Sequence, residues 1–261
     1  MKNKLNMKKG QQHKTSYIGI TGFMTREEVE TMLRFMPLSS ERLLMVGILA
    51  NWNTMQGFKS EGGRHPNIEN IKKIFVSHPA ALNLIHYSTK KIDSLCEQLV
   101  QLAKLSDNNL HGFQLNIVWP PKDELSRYRS IYPHHKIIMT IGDRAIRDVG
   151  NSPYLLTSKI SEYEGLIDYI LLDRSLGYGI PIDPKFMRKY VTILHVADLT
   201  MGIAIAGGLS PTTLGVIEPL IKDFPDLSID AENNLRNQDD SLNLGLAQDY
   251  LDRSLQIFGE I

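Results

Sequence analysis

The chain has 261 residues, 29 basic and 29 acidic side chains, a pI near 7.1 and 42% hydrophobic residues. That balance excludes a dominant basic face, so neither nucleic acid nor an anionic membrane is expected as a partner, while the apolar content suffices for a sizeable core. The single cysteine, Cys96, excludes an internal disulfide, and no apolar run reaches the ~18 residues of a membrane span, so a cytoplasmic location is expected.

Residues 1–15 are basic (Lys2, Lys4, Lys8, Lys9) and have no apolar stretch. They read as a flexible tail, not a secretory signal. Beyond them the chain alternates. Runs rich in Ile, Val and Leu occupy 17–21, 43–50, 82–87, 113–119, 136–141, 169–173, 202–208 and 227–231. Their near-continuous apolar character suits strands buried on both faces.

The segments between these runs have helical signals. In "TREEVETMLRFM", Thr25 is an N-cap and Glu28, three places on, completes a capping-box pattern. The longest irregular stretch, "NWNTMQGFKSEGGRHP" (51–66), follows the second strand and is expected to be a lid or specificity loop. Its Trp52 and Phe58 either cover an aromatic ring or anchor the loop. "STKKIDSLCEQLVQLAKL" puts Ile92, Leu95, Cys96, Leu99 and Leu102 on one stripe, which makes Cys96 a core thiol. "SPTTLGVIEPLIKDF" predicts a helix capped by Ser210 with Pro211 in its first position. "SLNLGLAQDYLDRSLQIF" predicts a closing amphipathic helix.

Eight strands with helical connections, over a length near the usual ~250 residues, predict an α/β fold: a single (β/α)8 TIM barrel across residues 16–261. An open doubly wound sheet would normally carry a Gly-rich nucleotide loop after its first strand, and "YIGITGFMT" lacks GxGxxG.

In such barrels the chemistry sits at the C-terminal strand ends. That rule selects Thr21, Asn51, His86, Trp119, Asp143, Asp173, Gly207, Gly208 and residues 232–234. In "YILLDRSLGYGIPID" an apolar run stops at Asp173, and a segment with Gly177 and Gly179 follows. In "AIAGGLSPTTL", Gly207 and Gly208 let the backbone approach an anion, and the N–H groups of a helix start favour negative charge. Asn233 and Asn234 at the eighth strand end would complete a phosphate site of the kind that the seventh and eighth loops build. His86 is either a proton-transfer group poised near neutral pH or a hydrogen-bonded strand-end histidine. Gln114 and Asn116, two apart on strand four, share a face and either line a site or satisfy one another. Asp143 reads as an ordinary N-cap. His134 and His135 fall at the start of strand five, away from the site. No HExxH, CxxC or clustered His/Asp set appears, so neither a metal nor another cofactor is expected.

The segments "GITGFMTREEV", "LLDRSLGYGIPID" and "IAIAGGLSPTTL" together resemble phosphoribosylanthranilate isomerase, a (β/α)8 enzyme of tryptophan biosynthesis. The resemblance covers strands one, six, seven and eight in order. It implies a cofactor-independent Amadori rearrangement, an aldose-to-ketose type isomerisation of an aminosugar phosphate. It also implies that Asp173 is the general acid. The family's general base is a Cys just before Gly-Ile-Thr; that position is Ile18 here, and isoleucine moves no proton. The family's strand-eight phosphate loop is rich in Ser and Gly. Here it reads "AENNLR", with Asn234 where a glycine is expected and Glu232 beside it to repel phosphate. Arg64 in "GGRHP" is the counterpart of the family's carboxylate-binding arginine.

Two functions follow as expectations. One is acid–base isomerisation of a small phosphorylated metabolite, with or without an aromatic carboxylate, other than the family's own substrate; Thr21, Asn51, Gln114, Asn116 and Arg64 would bind it. The other is a non-catalytic barrel that holds a small anion. Convergence of Asp173, His86 and the Gly207–Gly208 amides favours the enzyme; an ion pair of Asp173 with Arg174 or Arg188 favours the binder.

Overall fold

The computed structural model describes residues 14–58, 64–106, 108–175 and 179–261. Eight parallel strands close into a barrel in chain order: β1 Tyr17–Thr21, β2 Leu43–Asn51, β3 Ala81–Ser88, β4 Gly112–Leu115, β5 Lys136–Ile141, β6 Tyr169–Asp173, β7 Gly202–Ala206 and β8 Ser228–Ala231. The barrel closes where Ile18, Gly19 and Ile20 pair with Ile229, Asp230 and Ala231. The helices are α1 Arg26–Leu33, α2 Trp52–Met55, α3 Ile68–Ile74, α4 Leu95–Ser106, α5 Lys122–Ile131, α6 Asp143–Asp148, α7 Pro153–Ser161, α8 Pro184–Val196, α9 Glu218–Asp223 and α10 Leu244–Phe258. Among the described residues no helix is long and apolar enough to cross a membrane.

The apolar runs mark the strands closely; those at 17–21, 136–141 and 169–173 coincide with β1, β5 and β6. Thr25 caps α1 as its spacing predicts. Its Oγ1 accepts from the Glu28 amide at 3.2 Å, and the Glu28 carboxylate accepts from the Thr25 amide at 3.0 Å. Cys96 lies buried on the inner face of α4, and burial raises its thiol pKa.

Two predicted elements differ. Strand β4 stops at Leu115, well before residue 119. Ahead lie Pro120 and Pro121, which have no N–H for a ladder. Trp119 takes a left-handed backbone (φ 49°), and its ring stacks on Tyr163 at 6.2 Å, away from the cavity described below. After β7 no helix begins at Ser210. The chain turns, makes one 3-10 turn at Leu214–Val216 and enters α9 only at Glu218. Gly215 and Pro219, both poor helix formers, interrupt the predicted segment. The Ser210 amide is satisfied by Thr213 Oγ1 at 2.8 Å.

Residues 1–13 of the expected tail lie outside the described residues. Lys14 and Thr15 are tied to the N-terminal end of β6. Lys14 Nζ is 2.9 Å from Asp168 Oδ1, and the Thr15 carbonyl accepts from the Tyr169 hydroxyl at 2.8 Å. At the same end of the barrel, His135 Nδ1 sits 2.7 Å from the Tyr128 hydroxyl, remote from the strand tips as expected.

Strand alternation sorts the side chains into two layers. Ile18, Ile20, Val46, Ile48 and Ile85 pack outward with helix residues such as Val29, Met32 and Leu255. Inside the barrel, Tyr17, Met45, Leu82, Leu84, Ile138, Tyr169, Leu171 and Ala204 form a separate apolar cluster. Further along the same inward faces stand Thr21, His86, Gln114, Thr140, Asp173 and Asp230. Two inward glycines make space for them. A Cβ on Gly19 would fall 2.6 Å from Asp230 Oδ1, and one on Gly47 2.2 Å from Thr21 Oγ1.

Candidate active site

A cavity of about 40 Å³ opens at the C-terminal mouth of the barrel. His86, Gln114, Asp173, Ser175, Gly207, Gly208, Asp230, Glu232, Asn233 and Asn234 line it. The structure thus brings together most of the residues that the strand-end rule selects. Thr21 stands one hydrogen bond behind the wall.

Asp173 ends β6 and turns its carboxylate to the cavity. Oδ1 accepts from the Ser175 amide at 2.8 Å. The nearby arginines are engaged elsewhere. Arg174 holds Asp143 Oδ1 at 2.9 and 3.0 Å and stacks over Phe186, and Arg188 pairs with Asp223. Asp173 has no ion-pair partner among the described residues. Asp143 is the first residue of α6 and the N-cap is Gly142, so its carboxylate serves Arg174 and Arg147 instead of capping the helix.

His86 projects inward from β3. Its Nδ1 is 3.6 Å from Glu232 Oε2 and has no hydrogen-bond partner among the described residues. Burial lowers the imidazole pKa, against the pull of the Glu232 and Asp173 charges, so the ring is neutral at pH 7.

Asp230, absent from the strand-end selection, is the most buried carboxyl of the cavity at 5% exposure. Gln114 Nε2 donates to its Oδ2 at 3.1 Å, and Thr21 Oγ1 donates to Oδ1 over a longer 3.4 Å. Burial pushes its pKa up to about 7; the Gln114 bond opposes this, the charges of Glu232 and Asp173 add to it, and the Thr21 bond opposes it. Gln114 Oε1 is buried at the same cavity without a partner among the described residues. The sequence does carry a signal for this group: Ser228, Asp230 and Glu232 recur at period two, the pattern of a polar inward face.

Arg64 stands outside the cavity lining, contrary to the expected carboxylate-binding role. Its Nε and Nη2 clasp Asp240 at 2.8 and 2.7 Å, and its Nη1 reaches Glu232 Oε1 at 3.1 Å. The Asp240 hydrogen bond holds the guanidinium pKa above its usual value. Arg236 Nη2 approaches Glu232 to 3.8 Å. Two guanidinium groups therefore offset the Glu232 charge, which weakens the repulsion of an anion expected from the sequence.

Asn51 and Asn116 also lie outside the lining. Asn51 caps α2, its Oδ1 accepting from the Thr54 amide at 3.0 Å, and its Nδ2 lies 3.5 Å from His65 Nε2. Asn116 falls just past β4 and is exposed, so it no longer shares the inward face of Gln114. Trp52 lies under the Lys91 ammonium at 4.0 Å, and Phe58 is exposed. Residues 59–63 of the 51–66 loop, and Gly177, lie outside the described residues.

The expected anion cradle is a turn without a helix behind it. Gly207 and Gly208 have φ of 127° and 58°, values that only glycine adopts readily. Among the described residues no backbone oxygen accepts from either amide. Asn234 Nδ2 donates to the Gly208 carbonyl at 2.8 Å, which ties the eighth loop to the seventh. A Cβ on Gly208 would lie 2.6 Å from the Gly179 carbonyl, so the chain after β6 rests on this turn. Among the described residues, no group of three or more His, Cys, Asp or Glu side chains is arranged to hold a metal ion.

No protein-family model and no curated protein matches the sequence. Solved structures do match in fold. Phosphoribosyl anthranilate isomerase from Thermus thermophilus is 13% identical, with a TM-score of 0.64 over 92% of this chain and 99% of that one. TrpF from Jonesia denitrificans is 13% identical, with a TM-score of 0.60 over 93% and 98%. The phosphoribosylanthranilate isomerase of Thermotoga maritima, as monomers generated from the dimeric enzyme, is 14% identical, with a TM-score of 0.56 over 92% and 98%. The chain is similar to these isomerases in its barrel over nearly their whole length.

Proposed function

We propose that this barrel is a cofactor-independent acid–base isomerase of a small phosphorylated, sugar-like metabolite. The observation that carries this reading is convergence. Asp173, His86 and the Gly207–Gly208 turn face one cavity, and among the described residues no structural ion pair consumes Asp173. Asp173 donates a proton to a ring or carbonyl oxygen and takes it back as the product forms. Neutral His86 presents a ring nitrogen for a hydrogen bond to a substrate oxygen. The amides of Gly207 and Gly208, with Asn233 and Asn234, receive the phosphate. The similarity in fold to phosphoribosylanthranilate isomerases supports the reaction class. Because the cavity of about 40 Å³ has room for only a few water molecules, substrate entry requires Gly179 and Ile180 to lift from Gly208.

The test is a turnover panel of aldose phosphates and N-aryl glycosylamine phosphates, phosphoribosylanthranilate included. The expected result is isomerisation of at least one compound, with Asp173→Asn lowering kcat by ~10²–10⁴-fold. Turnover of none, or full activity in Asp173→Asn, overturns the reading. Metabolic-enzyme rates on phosphoribosylanthranilate would overturn the narrower expectation that Ile18 excludes it.

A further inference from the structure

The chain has no proton acceptor at the first-strand position where the resembling family places one. The structure adds a reason why that position is idle. Ile18 faces the helix layer and is fully buried among the outer core residues, so no side chain there reaches the cavity. The inward residue next to it is Gly19, and the volume above Gly19 is filled by the carboxyl of Asp230 together with the end of the Met45 side chain. We propose that Asp230 is the general base of the isomerisation, a carboxylate from the eighth strand standing where the first strand supplies none. This rests on the isomerase reading above.

Four observations support the assignment. Asp230 and Asp173 line the same cavity from β8 and β6, separated around the barrel by β7. Thr21 and Gln114 both donate to Asp230, one to each oxygen, which fixes the carboxylate plane. No arginine or lysine pairs with it among the described residues, so its lone pairs are not committed to a cation. The charges that bear on it are those of Glu232 and Asp173; the buried phenols of Tyr17 and Tyr250, held neutral, also face it, with neutral His86 across the cavity. These surroundings place its proton affinity near working pH, where a general base is most effective. His86, whose affinity is lowered by burial, is the weaker base.

The proposed step balances within the substrate and the two acids. Asp173 protonates the ring oxygen as the C1–O bond breaks, and the lone pair of the nitrogen on C1 forms C1=N. Asp230 removes the C2 proton; the C–H pair forms C1=C2 and the C1=N pair returns to nitrogen, giving the enolamine. Asp230 then returns its proton to C1 as the C2 hydroxyl proton goes to Asp173 and C2=O forms. No electron donor or acceptor is needed.

The experiment is kcat and KM against pH, on whichever panel compound the parent isomerises, for the parent, Asp230→Asn and Thr21→Val. The parent is expected to show a limb near pH 7, where Asp230 loses its proton. Asp230→Asn is expected to lose ~10²–10⁴-fold in kcat, with KM changed only a few-fold, and to lose that limb. Thr21→Val removes a donor to the charged form, so the limb moves to higher pH. Thr21 is not bonded to His86, so a limb due to the imidazole would not move. If the parent isomerises a compound and Asp230→Asn keeps both kcat and limb, the base assignment alone is overturned. If Asp230→Asn does not fold, an unmoved limb in Thr21→Val overturns it. If the parent turns over nothing, the isomerase reading falls and this inference falls with it.

Discussion

The two halves of the barrel interior are drawn from the same strands and have opposite chemistry. On β3, Leu82 and Leu84 precede His86. On β6, Tyr169 and Leu171 precede Asp173. The N-terminal half is an apolar plug in which Tyr17 and Tyr169 meet edge to face at 5.4 Å. The C-terminal half holds Thr21, Gln114, Thr140 and the carboxyls. The plug does more than stabilise the fold. By sealing the barrel below Asp230 it withholds water from that carboxyl, and burial is the largest cause of its raised pKa. The chemistry of the upper half is thus set in part by the packing of the lower.

Three substitutions probe that contrast. The largest loss of stability is expected from Leu84→Ala, which empties part of the plug directly below His86. It should cost ~2–5 kcal/mol, read as a lower urea midpoint at unchanged slope. A cost below ~1 kcal/mol would show that the plug is not close-packed. Next is Asp230→Asn, with the opposite sign. The folded-state pKa of Asp230 is about 7 against an ordinary 3.8, so the fold favours its protonated form. The associated stability is present in full below pH 4 and is lost as the pH rises through 7. At pH 8 the parent carries the whole penalty, and Asn should relieve up to about 4 kcal/mol of it, with no gain at pH 4. A loss at pH 8 would mean that the upper half is not a desolvated site. The smallest effect is expected from Thr140→Val. The Thr140 hydroxyl is buried without a partner among the described residues, so an isosteric methyl should be neutral or stabilising by ~1 kcal/mol. Clear destabilisation would reveal a water bound to that hydroxyl.

The barrel was legible because strands buried on both faces leave almost unbroken apolar runs, as at 136–141 and 169–173. Where local chemistry interfered the reading slipped: β4 ended at Leu115, short of its apolar run, and Gly215 and Pro219 broke the helix expected from Ser210. The site was legible in Asp173, His86 and Gly207–Gly208, because each marks an abrupt strand end. Asp230 escaped because it sits inside a run, not at its end; only the alternation with Ser228 and Glu232 betrays it. Arg64 misled for the opposite reason. A sequence window shows an unpaired cation, while the fold delivers Asp240 and Glu232 to it from the far end of the chain.

The bare inward face of Gly19 has a consequence for descent. The volume above it is shared by the Asp230 carboxyl and the Met45 methyl, and a side chain on residue 19 as small as a methyl collides with both. A relative that carries a larger side chain on this face of the first strand must make room on the second and eighth strands. A cysteine placed at position 18 would look out toward the helices. Position 19 should therefore change together with positions 45 and 230 among relatives.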